Sequence, residues 1–253
     1  MKKTLAKYWY GHIIVLLAII VLVNFGLWQL RRLEQRRALN REIVAGLNQP
    51  PAEITEEPVN PDELHRRRAF VTGTFDNENS VVLRGRSYGG QQGVEMVTPL
   101  LIAGSDQSVL VNRGWIPLAE SDREARRIYD ASDEVTIEGI AYRAQIRPDS
   151  YFAPTDPTPG PDQSRLDVWF RVDIPRIQQQ VDYPLLPIFV AQAPDPNSAE
   201  TPPIPQEIPE PNEGSHLGYA IQWFTFAVIL VGTYASFLWQ DVKRNQQQEI
   251  LNG

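Results

Sequence analysis

Residues Tyr10–Leu30 read YGHIIVLLAIIVLVNFGLWQL, 21 positions without an Asp, Glu, Lys or Arg. As a helix rising 1.5 Å per residue, this stretch covers roughly 30 Å, the hydrocarbon thickness of a bilayer. A second block, Leu217–Trp239, reads LGYAIQWFTFAVILVGTYASFLW, 23 positions that are also uncharged. The 186 residues Arg31–His216 between them suffice for one domain of ordinary size. The 253-residue chain is therefore expected to be a membrane protein. Two transmembrane α-helices would flank an extracytoplasmic β-rich (α+β) domain, barrel- or sandwich-like with antiparallel strands. The mean hydropathy of −0.31 averages the two apolar blocks with a polar, proline-rich centre and describes neither.

The absences narrow the chemistry. With no cysteine there is no disulfide framework, thiol nucleophile, zinc ribbon or Cys-X-X-Cys copper site, and the redox compartment stays open. There is no GxxxxGK[ST] loop, GxSxG elbow or HExxH pair, and three histidines cannot build a three-His site on one face of one element. An enzyme is the least expected class. A net charge of −7 argues against nucleic acid, whose phosphates need a basic face. The lipid bilayer is the expected partner surface.

Lys2, Lys3 and Lys7 precede the first apolar block, as in a signal peptide. The block is longer than a cleaved h-region and ends FGLWQLRR, with no small-x-small cleavage site, so a retained span is expected. The second span sets the orientation. Glu207, Glu210 and Glu213 precede it, and Lys243 and Arg244 follow it, so its C-terminal flank is expected to be cytoplasmic. Both termini then lie in the cytoplasm and the centre lies outside, in a bacterial plasma membrane, since no Arg- and Ser-rich transit segment is present. Arg31, Arg32, Arg36, Arg37 and Arg41 end up on the outer side against the usual bias. They either snorkel to headgroup phosphates or have a specific role.

The expected segments are a cytoplasmic N-terminus (1–9), a first span (10–30), a juxtamembrane segment and linker (31–63), and a β-rich domain (64–193). An acidic Pro-rich tether (194–216), a second span (217–239) and a cytoplasmic C-terminus (240–253) follow. Strands are predicted over Ala69–Phe75, Ser80–Arg86, Gly93–Ile102, Ser108–Ile116, Glu134–Ala144 and Leu186–Ala191. Each is an alternating or β-branched run bounded by turn residues. Ser121–Tyr129 is predicted helical, with Ser121 as N-cap and Glu124 closing a capping box. A second helix is predicted over Asp173–Val181, with Pro175 in its first turn. Arg147–Pro161 carries five prolines and Pro194–Pro211 seven. The latter is expected to be a solvated tether without regular structure. His65 is expected to be solvated, and its neighbours Arg66–Arg68 to form a solvated or lipid-facing edge.

Three clusters are specific. Gly26, Trp28, Gln29 and Arg32 form a GxWQxxR pattern, followed one turn later by Arg36. Gly93–Leu100 (GVEMVTPL) leads to Val111-Asn112-Arg113-Gly114-Trp115-Ile116-Pro117. His216-Leu217-Gly218-Tyr219-Ala220-Ile221-Gln222-Trp223-Phe224 opens the second span. In order, spacing and two-span layout the chain resembles the surfeit locus protein 1 family of cytochrome c oxidase assembly proteins. It departs from the family pattern at Ser215, where Asn is common, at Gln222, where Thr is common, and in its Pro-Glu tether. The resemblance implies an assembly factor that aids delivery or insertion of haem a. The catalytic subunit of cytochrome c oxidase and haem a synthase would be its partners.

In antiparallel spans the end of the first helix and the start of the second share one interface. That places Trp28, Gln29 and Arg32 at the depth of His216, Tyr219 and Trp223. His216, Tyr219, Ala220 and Trp223 repeat at helical spacing, and so do Trp28, Arg32 and Gln35. His216 is the candidate haem iron ligand, Arg32 suits haem propionates, and Trp28, Tyr219 and Trp223 offer an aromatic wall. Gly218 and Ala220 leave room for close approach. His12 lies about 30 Å away along the helix and cannot share an iron with His216 within one chain. The bland alternatives are an aromatic belt and an interfacial histidine. Asn112, Arg113, Gly114 and Trp115 read as fold-determining, with Gly114 at a bulge or close contact. A non-haem membrane scaffold that stabilises assembly intermediates through the central domain is the second reading. A binding domain for an unrelated ligand is the third.

Overall fold

The computed structural model describes residues 8–55, 60–146, 154–156, 165–195 and 201–251. In chain order the elements are α1 (Trp9–Leu47), β1 (Ala52–Glu53), α2 (Pro61–Leu64), β2 (Arg68–Phe75), β3 (Val81–Tyr88) and β4 (Gln91–Ile102). Then come β5 (Ser108–Pro117), β6 (Val135–Arg143), β7 (Val168–Trp169), α3 (Ile174–Ile177), β8 (Leu185–Gln192) and α4 (His216–Leu251). The chain forms two units, a helical one (Met1–Arg41 with Pro211–Gly253) and a β-rich one (Glu42–Glu210).

Helices α1 and α4 are 39 and 36 residues long and outrun their apolar blocks. Both are long and apolar enough to cross a membrane. Beyond Leu30, α1 continues through Arg, Leu, Glu, Gln and Ala, all good helix formers, and stops at Leu47, ahead of Asn48-Gln49-Pro50-Pro51. Within the helical unit the two helices meet antiparallel. Phe25 stacks on Trp223 with ring centroids 5.0 Å apart, and at the other end Tyr8 meets Phe237 edge-on at 5.3 Å. Gly26 makes the approach possible, since a Cβ there would sit 2.7 Å from the Phe224 ring. Ala220 is buried against this interface, but Gly218 faces open space and contributes nothing to close approach.

The second unit is a closed barrel. Pairing runs β2–β6–β8–β5–β4 and returns to β2 through Gly73↔Ile102, Thr74↔Leu101 and Phe75↔Leu100. Within the ring all pairs are antiparallel except β5–β8. This is the connectivity of an OB-type five-stranded Greek-key barrel. β3 forms a hairpin on β4, and the two-residue strands β7 and β1 add in parallel to β3 and β2. The six predicted strands are therefore present.

Both faces of β5 are buried, which is why it reads as a continuous apolar run. Val109 and Val111 point into the barrel with Val71, Phe75, Leu100, Ile137 and Ile188. Leu110 points outward, where it packs with Val81, Leu83, Val97 and Phe189 beneath Trp169, Val172, Ile174 and Ile177. Each such side chain contributes about 1.5–3 kcal/mol by burial.

Three expectations need correction. Ser121–Tyr129 does not form an α-helix; 3-10 turns occupy Leu118–Glu120 and Ala125–Tyr129. Ser121 donates its hydroxyl back to the Leu118 carbonyl, and Glu124 pairs with Arg127, so no capping box forms. The buried Arg126 guanidinium reaches Asp167 at 2.8 Å and the Ser80 carbonyl at 2.9 Å, which ties the segment to the barrel instead. The predicted helix at Asp173–Val181 is only one turn, Ile174–Ile177, capped by Asp173 with Pro175 in place, followed by a 3-10 turn. Most of Arg147–Pro161 lies outside the described residues.

The third correction concerns the Pro-rich tether. β8 ends at Gln192, leaving that edge of β5 open, and the returning chain covers it. Ile204 and Trp115 exchange both backbone hydrogen bonds, at 2.7 and 2.8 Å. Gln206 donates its side-chain amide to Glu95. Gly114, at φ +119°, is essential to this contact: a Cβ there would lie 2.0 Å from the Ile204 carbonyl oxygen. Gly114→Ala is expected to cost the barrel about 2–4 kcal/mol and to raise hydrogen exchange at Ile204. Gly85→Ala, at φ +76° with open space around it, is expected to cost about 1 kcal/mol and leave Ile204 protected. Equal effects of the two substitutions would contradict this account.

Candidate functional site

The best-built polar contact in the helical unit joins the two signature clusters. His216, the first residue of α4, lies 2.8 Å through Nδ1 from Oε1 of Gln29 on α1. Gln29 is only 9% exposed. A carbonyl-type oxygen facing Nδ1 assigns the proton to that nitrogen and leaves the Nε2 lone pair available. Trp223, two turns into α4 on the same face, stacks on Phe25. An imidazole hydrogen-bonded to an amide, with a stacked aromatic pair two turns further along the same helix, is an arrangement that can ligate a metal and lie beside a flat ligand.

The other predicted residues are placed differently. Gly26, Gln29 and Leu33, at i, i+3 and i+7, form the buried face of α1. Trp28 lies about 100° from Gln29 around the helix and Arg32 about 60°, and both are exposed, Trp28 by 51%. Arg32 donates to Gln35 at 2.8 Å. Tyr219 lies on the flank of α4, 49% exposed. The structure thus brings Gln29 and His216 into contact and stacks Trp223 on Phe25, and it leaves Trp28 and Arg32 exposed. Sequence reasoning missed Phe25 and Gly26 as its packing partners. The helical repeat of Gly26, Gln29 and Leu33 was the signal that could have found them.

The remaining histidines have packing partners. At the opposite end of the helix pair, His12 Nδ1 meets the Tyr234 hydroxyl at 2.8 Å. His65, expected to be solvated, is not: its side chain is 14% exposed and lies edge-on to Tyr142. Its Nδ1 accepts from the Arg143 backbone N–H at 3.4 Å, and its Nε2 lies 3.2 Å from the Arg66 guanidinium.

In the barrel the signature strand is committed to structure. Asn112 donates to the buried Glu95 at 2.9 Å and accepts from the Gly114 N–H. Arg113 donates to the Tyr129 carbonyl at 2.7 Å and stacks over Phe75 at 4.6 Å. A cavity of about 210 Å³ on the outer wall is lined by Arg86, Glu95, Asn112, Tyr142, Gln145 and Gln206. Its one carboxylate already takes hydrogen bonds or an ion pair from Arg86, Asn112 and Gln206. Among the described residues no group of three His, Asp or Glu is arranged to hold a metal ion.

A profile of the SURF1 family matches residues 16–228, taking in both helices' signature ends and the whole barrel. The chain belongs to the SURF1 family. It is 26% identical over 231 residues to a SURF1-like protein of Monosiga brevicollis, covering 85% of this chain and 82% of that one. A SURF1-like protein of Rickettsia felis is 25% identical over 231 residues, covering 89% and 96% of the two chains. Surfeit locus protein 1 of Arabidopsis thaliana is 25% identical over 260 residues, covering 81% and 72%. Within this SURF1-family chain, Gly26, Gln29, Gly93, Gly114 and His216 all make contacts that their residue types explain. A Cβ at Gly93 would lie 2.4 Å from the Trp115 indole nitrogen.

Burial, reinforced by Arg66 and Arg143, holds the His65 pKa below its ordinary 6.5. On acidification the unfolded chain takes up this proton near pH 6.5 while the folded barrel does not. Stability should therefore fall as pH drops through 6.5 and level off below the folded-state value. Urea melts between pH 7.5 and 5 should show this decline in the parent chain. The decline should be reduced in His65→Gln, and an identical pH slope in both would refute the assignment.

Proposed function

We propose that this SURF1-family protein is an assembly factor for cytochrome c oxidase, a haem-copper oxidase, and that it helps deliver haem a to the oxidase's catalytic subunit. In this reading it sits in a bacterial plasma membrane with both termini cytoplasmic and the barrel outside, and it performs no catalytic step of its own. Haem a synthase and the catalytic subunit are its proposed partners. The observation that carries the reading is the Gln29–His216 hydrogen bond.

The residues fit an iron-ligand site: His216 would hold the iron and Gln29 would hold His216. Gln29 fixes the imidazole by its Nδ1–H and leaves Nε2 to bind. Open space at Gly218 and the half-exposed Tyr219 leave the flank of α4 accessible, while Trp223 and Phe25 supply an aromatic floor. Haem a, when bound, supplies the iron and its redox chemistry. The chain's own task is to ligate and orient. Burial of Gln29 makes this a preset ligand, because the amide cannot turn away to solvent. Arg37 is held by Glu213 in a two-point ion pair at 2.9 and 3.0 Å, and so is not free for a propionate.

The second reading, a scaffold without haem, is favoured by one observation: Trp28 and Arg32 are exposed, whereas Gln29 is buried at its contact with His216. Titrating the purified full chain with haem a separates the two readings. The first predicts a shift of the haem absorption bands in the parent chain. His216→Ala should abolish the shift, and Gln29→Leu should weaken binding about 10- to 100-fold. A spectrum indifferent to His216→Ala would remove the ligand. Normal assembled haem a in membranes of a strain lacking the protein would defeat the delivery role.

A further inference from the structure

Five arginines follow the first apolar block within eleven residues, Arg31, Arg32, Arg36, Arg37 and Arg41, against a single acid, Glu34. In a chain of net charge −7 this is a sharp local reversal. Among the described residues only Arg37 of the five is paired with a carboxylate, Glu213. Trp28, Arg31, Arg32 and Gln35 recur at i, i+3, i+4 and i+7 and so share one face of α1. All four are exposed; Trp28, Arg31 and Gln35 lie roughly opposite Gly26, Gln29 and Leu33, the buried side, with Arg32 at the margin of the face. The helix pairing leaves this face unused.

We propose that the Trp28–Arg31–Arg32–Gln35 face binds the phosphate headgroups of anionic phospholipids. Three observations support this. The first is depth: Arg31 and Arg32 lie about 2–3 Å beyond Leu30, the last residue of the apolar block, where headgroups begin. The second is direction. Side chains on an α-helix leave the backbone tilted toward its N-terminus, and α1 leaves the bilayer at its C-terminal end, so the Cα–Cβ bonds of Arg31 and Arg32 tilt back toward the headgroups. The third is composition. An indole at the hydrocarbon boundary beside two forked guanidiniums matches a phosphodiester above acyl chains. The hydrogen bond from Arg32 to Gln35 holds one guanidinium extended along the face. The same face answers why cations stand where the orientation rule disfavours them, and it is independent of whether haem binds at His216.

The test uses the full chain, without haem, in phosphatidylcholine bilayers containing spin-labelled phosphatidylglycerol or spin-labelled phosphatidylcholine. The motionally restricted fraction of each probe gives the relative affinity. The parent chain should prefer phosphatidylglycerol by about three- to tenfold, and less at high salt. The double variant Arg31→Gln/Arg32→Gln should lose most of that preference. Arg31→Lys/Arg32→Lys should keep part of it, and Arg37→Gln should keep all of it. No preference in the parent chain, or a preference undiminished in the Gln variant, overturns the proposal. So does an unchanged lipid preference in the Gln variant accompanied by loss of a co-purifying protein, which would make the face a protein-docking surface. Haem titration of the Gln variant provides the separate readout. Retained binding with lost lipid preference is the expected result, and lost haem binding with unchanged lipid preference assigns the face to haem instead.

Discussion

The barrel depends on one strand holding two neighbours in opposite senses. β5 runs antiparallel to β4 and parallel to β8, and it contributes side chains to the core on both faces. Parallel pairing needs a long crossover, so β8 reaches β5 only after the chain has built β6 and the α3 layer. The same strand then runs on past the end of β8, and its last residues receive Ile204 across Gly114. Asn112, Arg113, Gly114 and Trp115 are accounted for by this position. Two anchor side chains from neighbouring elements, one admits a backbone, and one pairs with it.

A different constraint organises the helices. In a bilayer, hydrocarbon gives no reason for two apolar helices to meet, so pairing depends on close fit and on the few polar groups that find each other. Here the fit is Gly26 beneath Phe224, and the polar groups are Gln29 with His216 at one end and His12 with Tyr234 at the other. These contacts set the register, and the register decides which faces are left outward.

Much of the barrel was legible because its strands obey simple rules. Ala69–Phe75 and Glu134–Ala144 alternate and end in turn residues, and the β5 run is continuous because both its faces are buried. Closure was not legible. Three residue pairs between β2 and β4 have no sequence signature, and β1 and β7 are two residues each. The Ser121–Tyr129 prediction failed because a tertiary partner, Asp167, captured Arg126, and local capping cannot outweigh a buried charge-assisted pair. The tether was misread because seven prolines obscure one isolated Ile and one Gln that dock. For the site, the residue types and the shared depth were legible. The split into two faces was also present in the spacing, since Gln29 and Trp28 differ by 100° on a helix, but adjacency in sequence concealed it.

The place of β8 in the ring has a consequence for how the protein is made. A chain synthesised from its N-terminus produces α1 first and, one after another, every ring strand but the one that separates β5 from β6. Until Leu185–Gln192 has emerged, both of those strands present unpaired edges in a chain whose first helix is already made. The interval covers the whole stretch from Arg143 to Leu185. A chain that stops anywhere within it is not a shorter version of the same domain but an open sheet tethered to a bilayer.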